Sequence, residues 1–301
     1  MFSIPKLACY LKQEKPDILL SAMSHVNVAA VIARLIARSS CRLVLSERSH
    51  LSLSAKHAPS LRGRIMPFMV KLFYNQADLI VAVSKGVKDD LISRTGLSED
   101  KVQVIYNPVV TKELIKKAKE PVNHIWLNDF DLPVIIGVGR LSKEKEFATL
   151  IRSFKQLLEL QPAKLIILGE GEERSNLEKL IAHLNIIDNV SLPGFVSNPY
   201  AYMSKASLLV LSSSWEGLPN VLIQAMACGC PVVSTDCPSG PAEILDYGKY
   251  GPLTPVGDVE AMAQAIVNVL NTPPDREVLR ERANHYSAEN ISKEYLEALL
   301  P

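Results

Sequence analysis

The sequence predicts an α/β protein built as two units, each around a parallel sheet. Three observations predict it. Short apolar runs alternate with helical patterns from one end of the chain to the other. The length, 301 residues, exceeds one ordinary core and favours two domains of roughly 100–200 residues. Glycine usage also changes along the chain. Only Gly63, Gly86 and Gly96 fall in the first 130 residues, and the other eleven glycines come later.

In order, Asp17–Ser21, Arg42–Ser46, Asp78–Ser84 and Val102–Tyr106 read as buried strands of the first part. Val109 to Asp131 mixes Lys, Pro, Asn and Asp without a clean period, so the linker is expected there. In the second part Val134–Gly139, Lys164–Leu168, Val190–Leu192, Leu208–Leu211 and Val232–Thr235 read as strands. Helical patterns lie between them, and Leu177, Leu180, Ile181 and Leu184 follow spacings of three and four. Such alternation implies βαβ units and parallel pairing. No period is strong enough for a solenoid.

Composition excludes several classes. With 48% hydrophobic and 22% charged residues, the chain is neither disordered nor collagen-like. No apolar run reaches the ~18 residues of a membrane span. Lys6, Lys12, Glu14, Lys15 and Asp17 interrupt the first twenty residues, so no secretory signal is expected and the cytoplasm is the expected compartment. Cys9, Cys41, Cys228, Cys230 and Cys237 read as reduced thiols. Cys228, Cys230 and Cys237 lack the fourth ligand a zinc site wants. The net charge of +1 hides an asymmetry: residues 1–121 carry +9 and residues 122–301 carry −8. A basic half points to an anionic partner. The stretch from Lys56 to Lys71 runs into Met66, Phe68, Met69, Leu72, Phe73 and Tyr74. That mixture fits a core-facing helix with a solvated basic side, or an anionic membrane contact. No nucleic-acid motif accompanies the charge.

In parallel α/β sheets ligands sit beyond the carboxyl ends of the strands. Arg140, Gly169-Glu-Gly171, Gly194-Phe195, Trp215-Glu216-Gly217 and Asp236 to Gly240 all follow predicted strands of the second part. A helix is expected from about Pro219 to Cys228, because Pro suits a first turn and Gly229 a helix end. Its unpaired first amides suit an anion. Asn220 and Gln224, four apart, share a face. Arg140 and Lys145 add two cations suited to a diphosphate and its leaving charge. Asp129-Phe-Asp131 matches the aspartate pair of metal-dependent transferases, but it stands before a strand rather than after one, so no metal is expected. Gly137-Val-Gly139 lacks the third glycine of a dinucleotide fingerprint, with Ser142 in its place.

Gly139-Arg-Leu-Ser-Lys-Glu-Lys145, Leu168-Gly-Glu-Gly171 and the run from Ser213 through Glu216, Gly217, Leu218, Pro219, Asn220, Val221 and Gln224 to Asp236 resemble family 4 of the retaining glycosyltransferases, which have the GT-B fold. Pro238 to Leu245 and Gly257-Asp258 extend the likeness. Ala82-Val-Ser84 and Val104 to Pro108 resemble the end of the family's acceptor domain. The likeness is to bacterial enzymes of surface polysaccharide or lipid-linked oligosaccharide synthesis.

The resemblance implies two Rossmann-like domains: 1–115 on the acceptor side, 116–285 binding a nucleotide-sugar, and 286–301 as a helix returning to the first. It implies metal-independent transfer, with retention, from a UDP-sugar to a glycan or lipid-linked acceptor, as a hexosyl- or N-acetylhexosaminyltransferase. It gives Arg140 and Lys145 the donor diphosphate and Glu216 the sugar hydroxyls. The amides near Asn220 and Val221, in the loop with Gly217, Leu218 and Pro219, take the distal phosphate. Phe195 and Val196 border the base, and Gln224 faces the ribose.

Two departures stand out. The family pairs two glutamates seven residues apart, and here the second is Gln224. An amide offers one acceptor and one donor group where a carboxylate accepts from both ribose hydroxyls. The loss of charge-assisted bonding costs about 1–2 kcal/mol of donor binding. The family's amino-terminal domain also begins with strands and a glycine-rich loop before the stretch resembling Pro16 to Leu20. An incomplete first sheet with an uncovered edge is therefore expected. These departures leave a rival reading, a non-catalytic nucleotide-sugar-binding remnant or subunit. Sugar-nucleotide epimerases share the fold but not the Arg140-to-Gln224 pattern.

Overall fold

A computed structural model describes residues 3–58, 60–128 and 131–300. Asp129 of the aspartate pair therefore lies outside the described residues. The chain divides into two compact units. The first comprises Met1–Asn107, Glu216–Leu218 and Ile291–Pro301; the second comprises Pro108–Trp215 and Pro219–Asn290.

The first unit holds β1 (Ile18–Ala22), β2 (Arg42–Glu47), β3 (Leu79–Ala82) and β4 (Val102–Val104). They pair in parallel in chain order. The ends of each lie within two residues of the predicted strand. Helix Ser24–Ala37 buries Val28, Ala30, Val31 and Ala33. Helix Ser3–Glu14 covers it through Ala8 and Leu11. Val44, Leu79, Val81 and Ile105 pack with Ile291 and Ala298 of the last helix, Ala288–Leu299. Arg42 adds a bond from its guanidinium to the Ala298 carbonyl at 3.1 Å.

A buried carboxylate sits at the carboxyl end of β2. Glu47 is fully buried. It accepts from Tyr74 Oη at 2.7 Å, Ser24 Oγ at 2.9 Å, the Arg48 amide at 3.2 Å and Ser49 Oγ at 3.3 Å. Asn27 Nδ2 donates to the Tyr74 oxygen at 3.0 Å and to the Ser46 carbonyl at 2.9 Å. Burial raises the Glu47 pKa above the ordinary carboxylate value, although its four donors oppose the shift. Burial, and then the nearby Glu47 charge, also raise the Tyr74 phenol.

The second unit holds β5 (Val134–Val138), β6 (Lys164–Leu168), β7 (Val190–Gly194), β8 (Leu208–Leu211), β9 (Val232–Thr235) and β10 (Leu253–Thr254). Their order is β10-β9-β8-β5-β6-β7, with every pairing parallel. The chain therefore winds outward from β5 through β6 and β7, then reverses to β8 on the other side. Helix Phe147–Leu160 buries Phe147, Leu150, Ile151, Phe154 and Leu157, the spacing of a single helical face. They meet Ile135, Leu165, Ile167 and Leu208 in one core with Ile266 of helix Val259–Asn271. Truncating Phe154 to alanine there would cost about 3–5 kcal/mol.

Three features differ from the sequence reading. β10 is only two residues long, too short for a hydrophobic pattern to mark. The expected linker contains two short helices, Lys112–Lys117 and Ile125–Asn128. The first is capped by Thr111 Oγ1, which accepts from the Leu114 amide. The helix expected to begin with Pro219 in its first turn runs Asn220–Ala227 instead, and Pro219 (φ −74°, ψ 85°) is the non-helical residue before it.

Because its folded pKa is raised, Glu47 contributes stability that is full below its ordinary value of 4.5 and is lost as pH rises through the folded value. Urea unfolding across pH 4.5–8 is expected to show that decline, and Glu47→Gln is expected to flatten it. Thiol chemistry gives a second test. Burial pushes the Cys228 thiol up to about 12 and raises Cys230 further. Cys41 and Cys237 are also buried, whereas Cys9 is exposed. Iodoacetamide at pH 8 is expected to label Cys9 alone until the chain is denatured, because the thiolate is the reactive form.

Candidate functional site

The reversal between β5 and β8 is the topological switch point of the second sheet, where open α/β sheets place ligands. Two loops leave the sheet there. The loop after β5 carries Arg140 and Lys145. The loop after β8 begins Ser212-Ser-Ser-Trp215. Ser212 Oγ donates to the Lys145 carbonyl at 2.7 Å. The Ser214 amide donates to the Glu144 carbonyl at 2.8 Å, and its hydroxyl to the same oxygen at 3.2 Å. Thr235 Oγ1, at the end of β9, donates to the Ser213 carbonyl at 2.6 Å. Serine and threonine hydroxyls thus tie the ends of β8 and β9 to the backbone that presents Lys145. Ser212 carries no cue in sequence beyond a hydroxyl just past an apolar strand.

The β5 loop is shaped from the other side by the loop after β6. The Gly139 amide bonds to the Leu168 carbonyl at 3.0 Å, and the Leu141 amide to the Glu170 carbonyl at 2.9 Å. Gly169 has φ +144°, and a Cβ there would overlap the Gly139 carbonyl oxygen. Glycine is required for both reasons. The Lys145 stem lies 3.6 Å from where a Cβ on Gly139 would stand, so the lysine folds back over the strand end. Glu146 takes φ +48° before helix Phe147–Leu160 begins.

Beside this loop is a cavity of about 320 Å³, lined by Gly139, Arg140, Gly169, Glu170, Phe195 and Val196 among others. The Phe195 ring is 79% exposed. Arg140 is also exposed, and no ion pair holds its guanidinium among the described residues. Glu170 is engaged instead by Arg174, 2.6 Å away. Arg140, Phe195 and Val196 thus share one groove at the carboxyl ends of β5, β6 and β7.

Helix Asn220–Ala227 has no side-chain cap, and the Leu222 amide bonds back to the Pro219 carbonyl at 3.0 Å. Asn220, Val221 and Gln224 are half-buried, and Leu222, Ile223, Ala225 and Met226 fill the core. The side-chain amide of Gln224 makes no hydrogen bond among the described residues.

Glu216, Gly217 and Leu218 group with the first unit rather than with these residues. There Ser84 Oγ, at the start of helix Lys85–Thr95, donates to the Gly217 carbonyl at 2.7 Å. A Cβ on Gly217 would overlap the Arg48 carbonyl oxygen. Gly217 is therefore seated on the ends of β2 and β3. In the same unit Asp90 accepts from the Ser52 amide (3.0 Å) and from the Ser52 hydroxyl, with His50 Nδ1 at 3.2 Å. Burial opposes Asp90 ionisation, but hydrogen bonds from His50 and Ser52 outweigh it and hold its pKa below the usual value. The sequence reading did not find this pair, because fifty-odd and ninety-odd positions meet only through the fold.

Replacing Gly169 by alanine is expected to destabilise the chain by roughly 2 kcal/mol or more, from strained backbone plus overlap. Gly257→Ala is the control: its φ is also positive, at +77°, but the space beside it is open. It should cost about 1 kcal/mol. Urea denaturation of the two variants checks the difference.

Similar proteins identify the fold and the family. Residues 122–286 match the family Glycosyl transferases group 1, and residues 1–113 match Glycosyltransferase Family 4. An uncharacterised glycosyltransferase of Methanocaldococcus jannaschii is 34% identical over 83% of this chain and 66% of its own length. The Campylobacter jejuni N-acetylgalactosamine-N,N'-diacetylbacillosaminyl-diphospho-undecaprenol 4-alpha-N-acetylgalactosaminyltransferase is 34% identical over 92% of this chain and 74% of its own length. Among solved structures, Anabaena HepE in complex with UDP matches 98% of this chain and 81% of its own, with TM-score 0.79 and 23% identity. The apo lipopolysaccharide outer core galactosyltransferase WaaB matches 98% and 78%, with TM-score 0.76 and 23% identity. With 98% of the chain matched, these structures lend no support to the expected incompleteness of the first unit. At such identities they show the fold, GT-B, alone. The chain spans about two thirds to three quarters of the length of these relatives in sequence. On the two family matches and the identity to the Campylobacter enzyme, the chain belongs to the group 1, family 4 glycosyltransferases.

Proposed function

We propose that this protein is a retaining glycosyltransferase that moves a sugar from a UDP-sugar to a glycan or lipid-linked acceptor in surface-polysaccharide or glycolipid synthesis. The observation that carries the reading is the groove at the switch point, where Arg140 stands exposed over the cavity and Lys145 is held on the same loop by Ser212. Two cations on one preorganised loop suit a nucleoside diphosphate.

The residues take these roles. Arg140 and Lys145 hold the diphosphate and neutralise the charge that grows on it as the bond to the anomeric carbon breaks. Phe195 and Val196 border the base, for which the exposed Phe195 ring offers a flat apolar face. The amides of Asn220 and Val221, at a helix start without a side-chain cap, meet the distal phosphate. Gln224 faces the ribose hydroxyls. Glu216 meets the hydroxyls of the transferred sugar, and the adjoining Gly217, Leu218 and Pro219 carry that loop.

The acceptor oxygen forms the new bond to the anomeric carbon on the face the diphosphate leaves. The acceptor's proton passes to the leaving phosphate oxygen, and the configuration is kept. Positive charge from Arg140, Lys145 and the helix amides does the electrostatic work, so the reading needs no metal ion. The UDP bound by HepE and the diphospho-undecaprenol-linked glycan named for the Campylobacter enzyme support the donor and acceptor classes.

Calorimetric titration with UDP, GDP and ADP tests the donor assignment. UDP is expected to bind selectively, with Arg140→Ala weakening it at least tenfold. Gln224→Glu is expected to tighten it about tenfold, the reverse of the 1–2 kcal/mol lost with the carboxylate. No binding by folded protein overturns the donor site. Binding of UDP without transfer to any lipid-linked acceptor would favour the non-catalytic reading.

A further inference from the structure

Residues 48–77 contain five Lys and Arg and no Asp or Glu. Two helices, Leu61–Arg64 and Met66–Phe73, lie within this stretch. Ile65 joins them with φ −84° and ψ −6°, and the bonds Ile65 N to Leu61 O (3.1 Å) and Met69 N to Ile65 O (3.2 Å) carry the helical winding across the joint. The inner side is anchored. Val70 and Tyr74 are fully buried, and Tyr74 donates to Glu47.

The outer side is apolar and open to solvent. Leu61 is 75% exposed, Ile65 46%, Phe68 67% and Leu72 56%. Their offsets of four, three and four residues place them in one stripe about 60° wide, at 100° per residue. Arg62 falls on one flank, Arg64 and Lys71 on the other, and all three are exposed. Four large apolar side chains aligned on one face, with cations on both flanks and no acidic residue in the stretch 48–77, differ from singly scattered surface hydrophobics. A helix fixed from beneath, with such a face outward, matches the plane of an anionic lipid surface. Apolar side chains enter the acyl boundary while guanidinium and ammonium groups remain among the headgroups.

We propose that the face formed by Leu61, Ile65, Phe68 and Leu72, with Arg62, Arg64 and Lys71, docks this protein on an anionic membrane surface. The charge pattern selects this occupant over a second copy of the chain, whose identical basic flanks would repel across a two-fold contact. The inference goes beyond the proposed reaction, since docking needs neither donor nor acceptor.

Co-sedimentation of the full chain with vesicles of phosphatidylcholine alone, or mixed with phosphatidylglycerol, tests it. The protein is expected to pellet with the mixed vesicles, to stay in solution with the neutral ones, and to be released as salt rises. The double variant Leu61→Ser, Phe68→Ser and the double variant Arg62→Glu, Lys71→Glu are each expected to lose at least tenfold in vesicle affinity. Their circular dichroism and UDP titrations should match the unaltered protein, which separates failure of docking from failure of the donor site. Equal pelleting of all variants, or no pelleting with mixed vesicles, overturns the proposal. So does a dimer by light scattering that Leu61→Ser, Phe68→Ser converts to monomer without any change in vesicle binding.

Discussion

The second unit depends on a close approach of two backbones. At the carboxyl ends of β5 and β6 the Gly139 carbonyl occupies the space a side chain at Gly169 would need. That approach lets the loop after β5 bond to the loop after β6 through Leu141 and Glu170. The same loop bonds on its other side to the loop after β8, through Ser212 and Ser214. Arg140 and Lys145 are thus carried by a segment held from both neighbours rather than by a free loop. A loop backbone fixed in advance leaves only the two side chains to order when an anion arrives, which lowers the entropic cost of bringing their charge to it.

The first unit is organised by a different constraint, a buried carboxylate with no ion pair among the described residues. Glu47 gathers hydrogen bonds from helix Ser24–Ala37, from the loop after β2 and from Tyr74. An ionised carboxylate in such a place is tolerated only while its oxygens are satisfied. The network therefore makes the end of β2 rigid where Gly217 rests on the Arg48 carbonyl. Through Tyr74 it also fixes the inner side of the helix whose outer stripe is proposed to meet lipid. One buried group thus orders both the seat of the Glu216 loop and the base of the basic helix, linking sequence, packing and proposed function in one unit.

Much of this was legible in the sequence, for identifiable reasons. Fully buried parallel strands are continuous apolar runs, so Leu208–Leu211 and Val232–Thr235 could be bounded to the residue. Ligand loops follow strand ends, so Arg140 and Phe195, which line one cavity in the fold, could be placed on one rim from the sequence. The rest depended on long-range geometry. β10 is two residues long and is held by its neighbour rather than by its own pattern. Pro219 precedes its helix because its ψ of 85° is non-helical, which composition does not reveal. Glu47 reads as an ordinary acidic strand end until Tyr74, twenty-seven residues away, covers it. The basic stretch from Lys56 fitted a core-facing helix with a solvated basic side or a membrane contact, and in the fold one of its faces is buried while apolar side chains on the other are exposed.

The central claim is that a nucleoside diphosphate binds at the switch point of the second sheet. Amide hydrogen exchange with and without UDP tests it most directly. The account predicts slowed exchange at Gly139 to Lys145, at Phe195 and Val196, and at Asn220 to Gln224, and no change around the larger cavity of about 630 Å³ lined by Thr111, Lys112, Ser287 and Asn290. Slowed exchange at that larger cavity with none at the strand ends would contradict it.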